Sequence, residues 1–177
     1  SILARINRVI AIVCGIVLLG TAALILVEVT LRRTVGGILG GTDEISGYVM
    51  AGIAAWGFAY ALLERAHVRI DLLHGRLSSP LRAGLDLLSM GALAAVATLV
   101  SWHGWRVLLV TLDRGSRANT PLETPLWIPQ TVWVLGWTWF ALCAIALVVI
   151  GAILIARGER DATEAVIGLR GELESAS

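Results

Sequence analysis

The sequence contains no lysine, and charged residues of any kind are scarce. All 14 basic residues are arginine, and charged residues make up only 15% of the chain, against about 25% in ordinary soluble domains. Hydrophobic residues account for 57% of the 177 positions, and the mean hydropathy is +0.82. The net charge of +1 comes without any cluster of basic residues, so a nucleic-acid partner is not expected. These shortages predict an integral membrane protein in contact with lipid.

Cysteine and histidine are also too few for the sites that commonly hold metals or haem. Cys14 and Cys143 are isolated in apolar runs without CxxC spacing, which is typical of small packing residues. A bis-histidine haem site needs two histidines at matching depth in a bundle, and only His103 lies within an apolar run. We therefore predict no cofactor, no metal site, no catalytic residue and no enzymatic activity.

Four apolar runs dominate the chain. At about 1.5 Å of rise per residue, each can cross the roughly 30 Å hydrocarbon core of a bilayer as a helix. The first run is longer than the roughly 7 to 15 apolar residues of a secretory signal peptide, so we expect it to stay in the mature protein. The predicted fold is therefore an all-α integral membrane protein with four transmembrane helices. The predicted spans are about 9–31, 45–63, 84–110 and 131–156, within one membrane domain at 1–156 followed by a polar cytoplasmic tail at 157–177.

The connections between the spans predict how the helices are joined. The glycine-rich stretch 34–42 is short, which favours an antiparallel hairpin of the first two spans. Apolar and charged residues alternate over 66–82, so we predict an amphipathic connection along the membrane surface, although 67–71 would fit an extended segment equally well. Ser79 and Pro80 are typical of the first residues of a helix and predict the start of the third span.

Arginine positions predict the orientation in the membrane. If the first residue is cytoplasmic, nine arginines lie on the cytoplasmic side and four on the opposite side. Because cytoplasmic loops carry an excess of basic residues, this distribution places both termini in the cytoplasm. The nine are Arg5, Arg8, Arg65, Arg69, Arg76, Arg82, Arg157, Arg160 and Arg170, and the four are Arg32, Arg33, Arg114 and Arg117.

Small residues and aromatic residues each form a stripe that predicts helix contacts. The second span carries Gly and Ala at four-residue spacing, a surface on which another helix of the same or a different chain could approach closely. The fourth span carries an aromatic ridge. Trp56, Trp137 and Trp139 lie too deep for the headgroup belt, so we expect them to pack against protein. The candidate partner interface comprises Gly47, Ala51, Ala55, Trp56, Ala59, Trp133, Trp137, Trp139 and Phe140.

Ionisable residues within the spans are predicted to lie only near the outer ends. The central portions are Ala, Leu, Val and Gly, without the broken spans or mid-membrane polar groups expected of a transporter that acts alone. Glu28 precedes Arg32 by one turn, which favours an interfacial ion pair; alternatively, Glu28 meets a partner cation or a coupling ion. The candidate structural polar sites are Glu28, Arg32, Glu44, His67, Arg69, Asp71 and Arg106.

Four motifs, taken in order, resemble a known family. They are DEISGY at 43–48, AYAL at 59–62, HVRID at 67–71 and TPLWIPQ at 124–130. On a frame of four spans they resemble the small permease subunit of a TRAP transporter, of the DctQ type. Ala66 replaces the glycine that this family has before the histidine, which concerns only the local turn.

The resemblance implies a complex with a large DctM-type permease and a periplasmic substrate-binding protein in a bacterial inner membrane. Such a complex imports organic acids, such as dicarboxylates or sugar acids, with a sodium gradient. The large subunit would carry substrate and ions, and this chain would be the scaffold that braces it. The competing hypothesis is a free-standing four-span assembly or channel-like protein, whose stripes would serve self-association.

Overall fold

A computed structural model of the protein describes residues 2–34, 36, 40–63 and 79–158. It contains four α-helices, and each includes a segment long and apolar enough to cross a membrane. Within the described residues, the only strand-like pairing is a single bridge between Arg117 and Pro125. The predicted all-α fold with four spans is therefore confirmed. The helices are α1 (Ile2–Thr34), α2 (Thr42–Leu63), α3 (Ser79–Arg114) and α4 (Trp127–Ala156).

The helices extend beyond the predicted spans at several ends. Helix α3 begins at Ser79, as the Ser-Pro pair predicts, and α4 begins at Trp127, four residues before the predicted start. Pro129 is accommodated because it lies in the first turn, where its missing N–H would have no partner within the helix. The predicted amphipathic connection lies outside the described residues up to position 78, and so does the predicted tail from position 159.

Helix α4 occupies the centre of the packing. It packs against α2 on one side and α3 on the other, and α1 packs against α2. Gly52 lies next to Val132 and Ala55 next to Gly136, so α2 and α4 run in the same direction. The helices thus follow the order α1, α2, α4, α3. We call the end with the α1–α2 connection and the α3–α4 loop (115–126) the loop end, and the opposite end the terminal end.

Two glycines allow α4 to approach α2 and α3 closely. A Cβ on Gly136 would lie 2.8 Å from the Cβ of Ala55 and 3.0 Å from its backbone carbonyl carbon. A Cβ on Gly104 of α3 would lie 2.9 Å from a methyl of Val134. Small residues at such positions are the usual way for membrane helices to approach, because dispersion contact rather than water exclusion joins helices in lipid.

The shared core of α2, α3 and α4 is built mainly from alanine. It spreads from the middle of the bundle towards the terminal end, and Cys143 lies inside it as a buried free thiol, which agrees with its predicted packing role. Its small side chains keep the helix axes close together. The core comprises Ala59, Leu62, Met90, Ala94, Ala97, Phe140, Ala141, Cys143 and Ala144.

The α3–α4 loop folds back on itself and covers the start of α2. Backbone bonds from Ala118 to Thr124 (2.9 Å) and from Leu126 to Ser116 (3.1 Å) close the loop. The side chain of Leu122 lies against Gly41, which has a φ of +81°. A Cβ added at Gly41 would overlap the leucine side chain. The loop end therefore brings both connections together.

Candidate functional site

Glu28 joins α1 to α2 at the loop end. Glu28 belongs to a membrane-crossing segment, and its side chain is only 7% exposed. It forms an ion pair with Arg32, whose side chain is 54% exposed. The predicted ion pair is therefore present. The buried side chain of Thr42, at the start of α2, faces the same carboxylate. Glu28 thus contacts a neighbouring helix as well as its own.

Glu44 joins α2 to the α3–α4 loop. The hydroxyl of Tyr48 donates a hydrogen bond of 2.9 Å to Oε1 of Glu44. Thr120, Thr124 and the backbone of Leu122 surround the carboxylate from the loop side. Glu44 also lies in the first turn of α2, where the helix dipole stabilises a negative charge. Together, Glu28 and Glu44 with their partners form what we call the loop-end cluster.

Three tryptophans each attach α4 to a different helix through the indole N–H. A hydrogen bond of this kind between membrane helices satisfies a donor that has no water to bind in lipid. Thr138, one of the acceptors, also lies 2.8 Å from the hydroxyl of Ser101. The three bonds join Trp56 to the carbonyl of Val132 (3.0 Å), Trp105 to Thr138 (3.0 Å) and Trp139 to Asn7 (2.9 Å).

The aromatic ridge of α4 packs mostly within the chain. The ring of Trp137 lies 5.4 Å from that of Phe58, 5.8 Å from that of Phe140 and 6.0 Å from that of Trp133, measured between centroids. Tilted and edge-on contacts at these distances are favourable for aromatic pairs. Trp56, Trp137 and Trp139 are all half-buried. Their expected contact with protein is therefore made, at least in part, by neighbouring helices of the same chain.

The small-residue stripe of α2 divides into an inner and an outer part. Ala55 and Ala59 are fully buried, and the neighbour of Ala55 is Gly136 of α4 in the same chain. Gly47 and Ala51 are exposed. A larger residue at Ala55 would therefore disturb internal packing instead of testing a partner surface. Phe140 is likewise buried in the core. Within the candidate interface, Gly47 and Ala51 are therefore exposed and the four tryptophans are half-buried.

The remaining candidate polar sites are less informative. His67, Arg69 and Asp71 lie outside the described residues. Arg106 is exposed on α3, and within the described part of the chain it forms no ion pair. His103 is also exposed and lines a cavity between α3 and α4.

Two buried residues with an acidic or amide side chain were not predicted from the sequence. Asp86 lies in the third membrane-crossing segment with 3% exposure, and Asn7 lies in the first with 2%. The expectation that ionisable residues would stay near the outer ends overlooked Asp86, because hydropathy averaged over a long run conceals a single acid. Asn7 stands between Arg5 and Arg8 and resembled part of a polar terminus. An acid within a predicted span was the available signal.

Two cavities open at the helix boundaries. The first, of about 450 Å³, lies between α1 and α2 and has apolar walls, with Val13, Gly52 and Trp56 among its lining residues. The second, of about 670 Å³, lies between α3 and α4 towards the loop end. Its walls are apolar except for His103 and Gln130.

Four membrane-crossing helices, joined by buried polar contacts and indole hydrogen bonds, define a multi-pass membrane protein. The family model described as "Tripartite ATP-independent periplasmic transporters, DctQ component" matches residues 21–155. The chain therefore belongs to the DctQ family and is the small membrane component of a TRAP transporter. Comparison with curated proteins gave no match, and neither did comparison with solved structures.

Proposed function

We propose that the chain is the scaffold of a TRAP transporter in a bacterial inner membrane, with both termini in the cytoplasm. It braces a large DctM-type permease, which receives its substrate from a periplasmic binding protein. The complex takes up an organic acid of the dicarboxylate or sugar-acid class together with sodium. The observation that carries this proposal is the DctQ family match over residues 21–155.

The use of polar groups within the bundle supports a scaffolding role. Glu28 faces Thr42 of α2, Glu44 faces the α3–α4 loop, and the bonded tryptophans join α4 to its neighbours. Residues that carry a substrate must instead change partners during transport, as the polar groups at broken helices do in transporters. Contacts of this kind support the proposal of a scaffold.

The exposed apolar surface supports a partner in the membrane. Only 6% of the residues in the most apolar window of α1 are buried, so most of this helix is open to lipid or another protein. The exposed outer part of the stripe, Gly47 and Ala51, lies on the neighbouring helix α2 and could accept a helix at close range. We therefore assign the partner surface to α1 and the outer stripe of α2.

Co-purification tests this assignment. We expect a tagged chain to bring down a large multi-span permease from the native membrane, and we expect loss of the chain to abolish uptake of the organic acid. Ala51→Leu should reduce co-purification several-fold, whereas Ala92→Leu, at an exposed position of α3, should not. Absence of any large multi-span partner with the wild-type chain would instead favour the free-standing alternative.

Cysteine labelling tests the orientation. In a Cys14→Ser, Cys143→Ser background, Asn119→Cys at the loop end should react with an impermeant maleimide in intact cells. Arg157→Cys at the terminal end should react only after permeabilisation. Gly41 is unsuitable for this test because a side chain there would overlap Leu122. Labelling of Arg157→Cys in intact cells would reverse the proposed topology.

A further inference from the structure

Helix α1 buries only polar residues. Over residues 5–34, the buried residues are Asn7 (2% exposed), Thr21 (7%) and Glu28 (5%), and all others are half-buried or exposed. The half-buried Cys14 completes a row in which every member follows the previous one by seven positions. We call Asn7, Cys14, Thr21 and Glu28 the polar seam. The pattern is the reverse of a soluble amphipathic helix, which buries its apolar side.

The seven-residue spacing keeps the polar seam on one side of α1. Seven residues make slightly less than two turns of an α-helix, so the row drifts by about 20° per heptad. Asn7 and Glu28 are 21 positions apart, which corresponds to about 31 Å and a drift of about 60°. Such a row follows neighbouring helices that cross α1 at a small angle. In agreement, Glu28 meets α2 whereas Asn7 meets α4.

Contacts with other helices lie at both ends of the polar seam. Towards the terminal end, Oδ1 of Asn7 accepts a hydrogen bond of 2.9 Å from Nε1 of Trp139 in α4. At the loop end, the carboxylate of Glu28 faces Thr42 of α2. Between them, the hydroxyl of Thr21 donates to a carbonyl of α1 itself (2.8 Å), so it needs no neighbouring helix. The two end contacts therefore hold one side of α1 towards the bundle.

Apolar side chains alone do not fix the rotation of a membrane helix about its axis. Lipid tails are as apolar as leucine, so an apolar side chain gains little from turning towards protein. An amide or carboxylate differs, because it loses its hydrogen bonds when it faces hydrocarbon. Rotation of α1 by one residue position, about 100°, would turn both Asn7 and Glu28 away from their partners. Two contacts of the usual strength between membrane helices favour the native rotation by about 10-fold.

We propose that the polar seam sets the rotation of α1 and thereby selects the face that α1 presents to its partner in the membrane. The presented face lies opposite the seam and includes Ile12, Ile16 and Leu19, whose side chains are 56%, 64% and 72% exposed. The selection of a face rests on the proposed function, whereas the rotation is a property of this chain alone. Asn7 and Glu28 are thus positioning residues, which act on the partner surface without touching the partner.

Cross-linking between α1 and α2 measures the rotation. Val17 of α1 and Ile53 of α2 both line the cavity between these helices, whereas Ile16 does not. In a Cys14→Ser, Cys143→Ser background, the full-length chain carries Ile53→Cys together with either Val17→Cys or Ile16→Cys. A short bifunctional thiol reagent should link the Val17→Cys pair about 10-fold more than the Ile16→Cys pair.

A shifted-seam variant moves the polar residues by one position without changing the composition. It exchanges Asn7, Glu28 and Arg32 each with the residue that precedes it, so the acid and the arginine stay one turn apart. Helix α1 should then rotate by about 100°, and the Ile16→Cys pair should become the stronger cross-link. A continued preference for the Val17→Cys pair would overturn the proposal. The six substitutions are Ile6→Asn, Asn7→Ile, Val27→Glu, Glu28→Val, Leu31→Arg and Arg32→Leu.

Two further variants keep the test decisive. Exchange of two exposed residues of α1, Leu19→Ala with Ala23→Leu, leaves the polar seam in place and should keep the native preference. Asn7→Leu with Glu28→Leu removes both end contacts and should equalise the two cross-links, since no rotation is then preferred. Retention of the native preference in this variant would also contradict the proposal. Circular dichroism and monodispersity identify any variant that fails to fold.

Co-purification with the large permease separates this inference from the proposed function. The shifted-seam variant presents a different face of α1, so it should bring down several-fold less permease than the wild-type chain. A reversed cross-link with undiminished co-purification would remove α1 from the partner surface and leave the role of the polar seam intact. An unreversed cross-link would instead overturn the role of the polar seam, whatever the partner surface.

Discussion

The most apolar windows of α1 and α4 are almost equal in hydropathy, but the two helices hold opposite positions in the molecule. The mean hydropathies of these windows are 2.9 and 2.8, yet 6% of the α1 window is buried against 28% of the α4 window. Hydropathy therefore predicts that both helices cross the membrane, but it does not predict which of them lies at the centre of the bundle. The difference shows that position is determined by features finer than apolarity.

Glycine shows one such feature. Gly15 and Gly20 of α1 have no atoms within 4 Å of an added Cβ, whereas Gly136 of α4 has three within 3.0 Å. Glycine therefore faces open space on α1, whereas Gly136 on α4 makes a close helix contact. Hydrogen bonding shows a second feature, because all three indole bonds between helices involve α4.

Substitution of these glycines should produce the largest contrast between the two helices. Gly136→Ala forces α2 and α4 apart, since the new methyl meets both the side chain and the backbone of Ala55. We expect a loss of about 1 to 3 kcal/mol, seen as a lower unfolding temperature in detergent. Gly15→Ala should be neutral or stabilising by up to about 1 kcal/mol, because alanine favours a helix. Equal effects of the two changes would refute the central position of α4.

The loop-end cluster should give the next largest effect. Glu44→Gln removes the negative charge that Thr120, Thr124 and the backbone of Leu122 surround, and we expect it to loosen the α3–α4 loop. The loop should then be cut several-fold faster by trypsin after Arg117. Asp43→Asn removes a charge from the same helix turn without touching the loop residues, so it serves as the control for the helix dipole. Equal cleavage rates in the two variants would show that Glu44 does not anchor the loop.

The indole bond between α4 and α1 should have a smaller effect. Trp139→Phe removes the donor to Asn7, whose Nδ2 already has no partner within the described residues, and should cost about 1 kcal/mol in thermal unfolding. Asn7→Leu removes the buried amide. The double variant should therefore be little less stable to thermal unfolding than Trp139→Phe alone. Trp127→Phe, at an exposed ring, provides the control. Additive losses in the double variant would show that the bond does not join the helices.

Glu28→Gln should have the smallest effect on transport affinity. It weakens the pair with Arg32 and the contact with Thr42, so assembly or the rate of uptake should fall. The apparent affinities for substrate and sodium should change by less than about 2-fold, because a scaffold residue stabilises both states of transport equally. A shifted sodium dependence in an intact complex would assign Glu28 to ion coupling.

The number and class of the helices could be predicted from the sequence, because a bilayer demands a long apolar run for each crossing. The Glu28–Arg32 pair was predictable for a similar reason, since residues one turn apart on a helix are neighbours whatever surrounds them. The DctQ resemblance depended on short motifs in order, and the family match confirms it.

Contacts between distant parts of the chain were not predictable in the same way. Nothing in the spacing of Gly47, Ala51, Ala55 and Ala59 indicates that two of them face α4 and two face outwards. The bond between Trp139 and Asn7 joins residues 132 positions apart, and the partners of Glu44 lie in a loop beyond α3. Such pairs follow from the order in which the helices pack, which a pattern within one helix does not contain.

The packing order has a consequence for how the protein is made. Of the four described helices, α4 is synthesised last, yet α2 and α3 bury their alanine faces against it. Until it arrives, these faces have no permanent neighbour, and the first three helices form an unfinished assembly in the membrane. A message truncated after α3 would therefore yield a product that inserts but does not mature, and membrane proteases should clear it quickly. The 30 residues of α4 are thus required before the helices synthesised earlier can complete their packing.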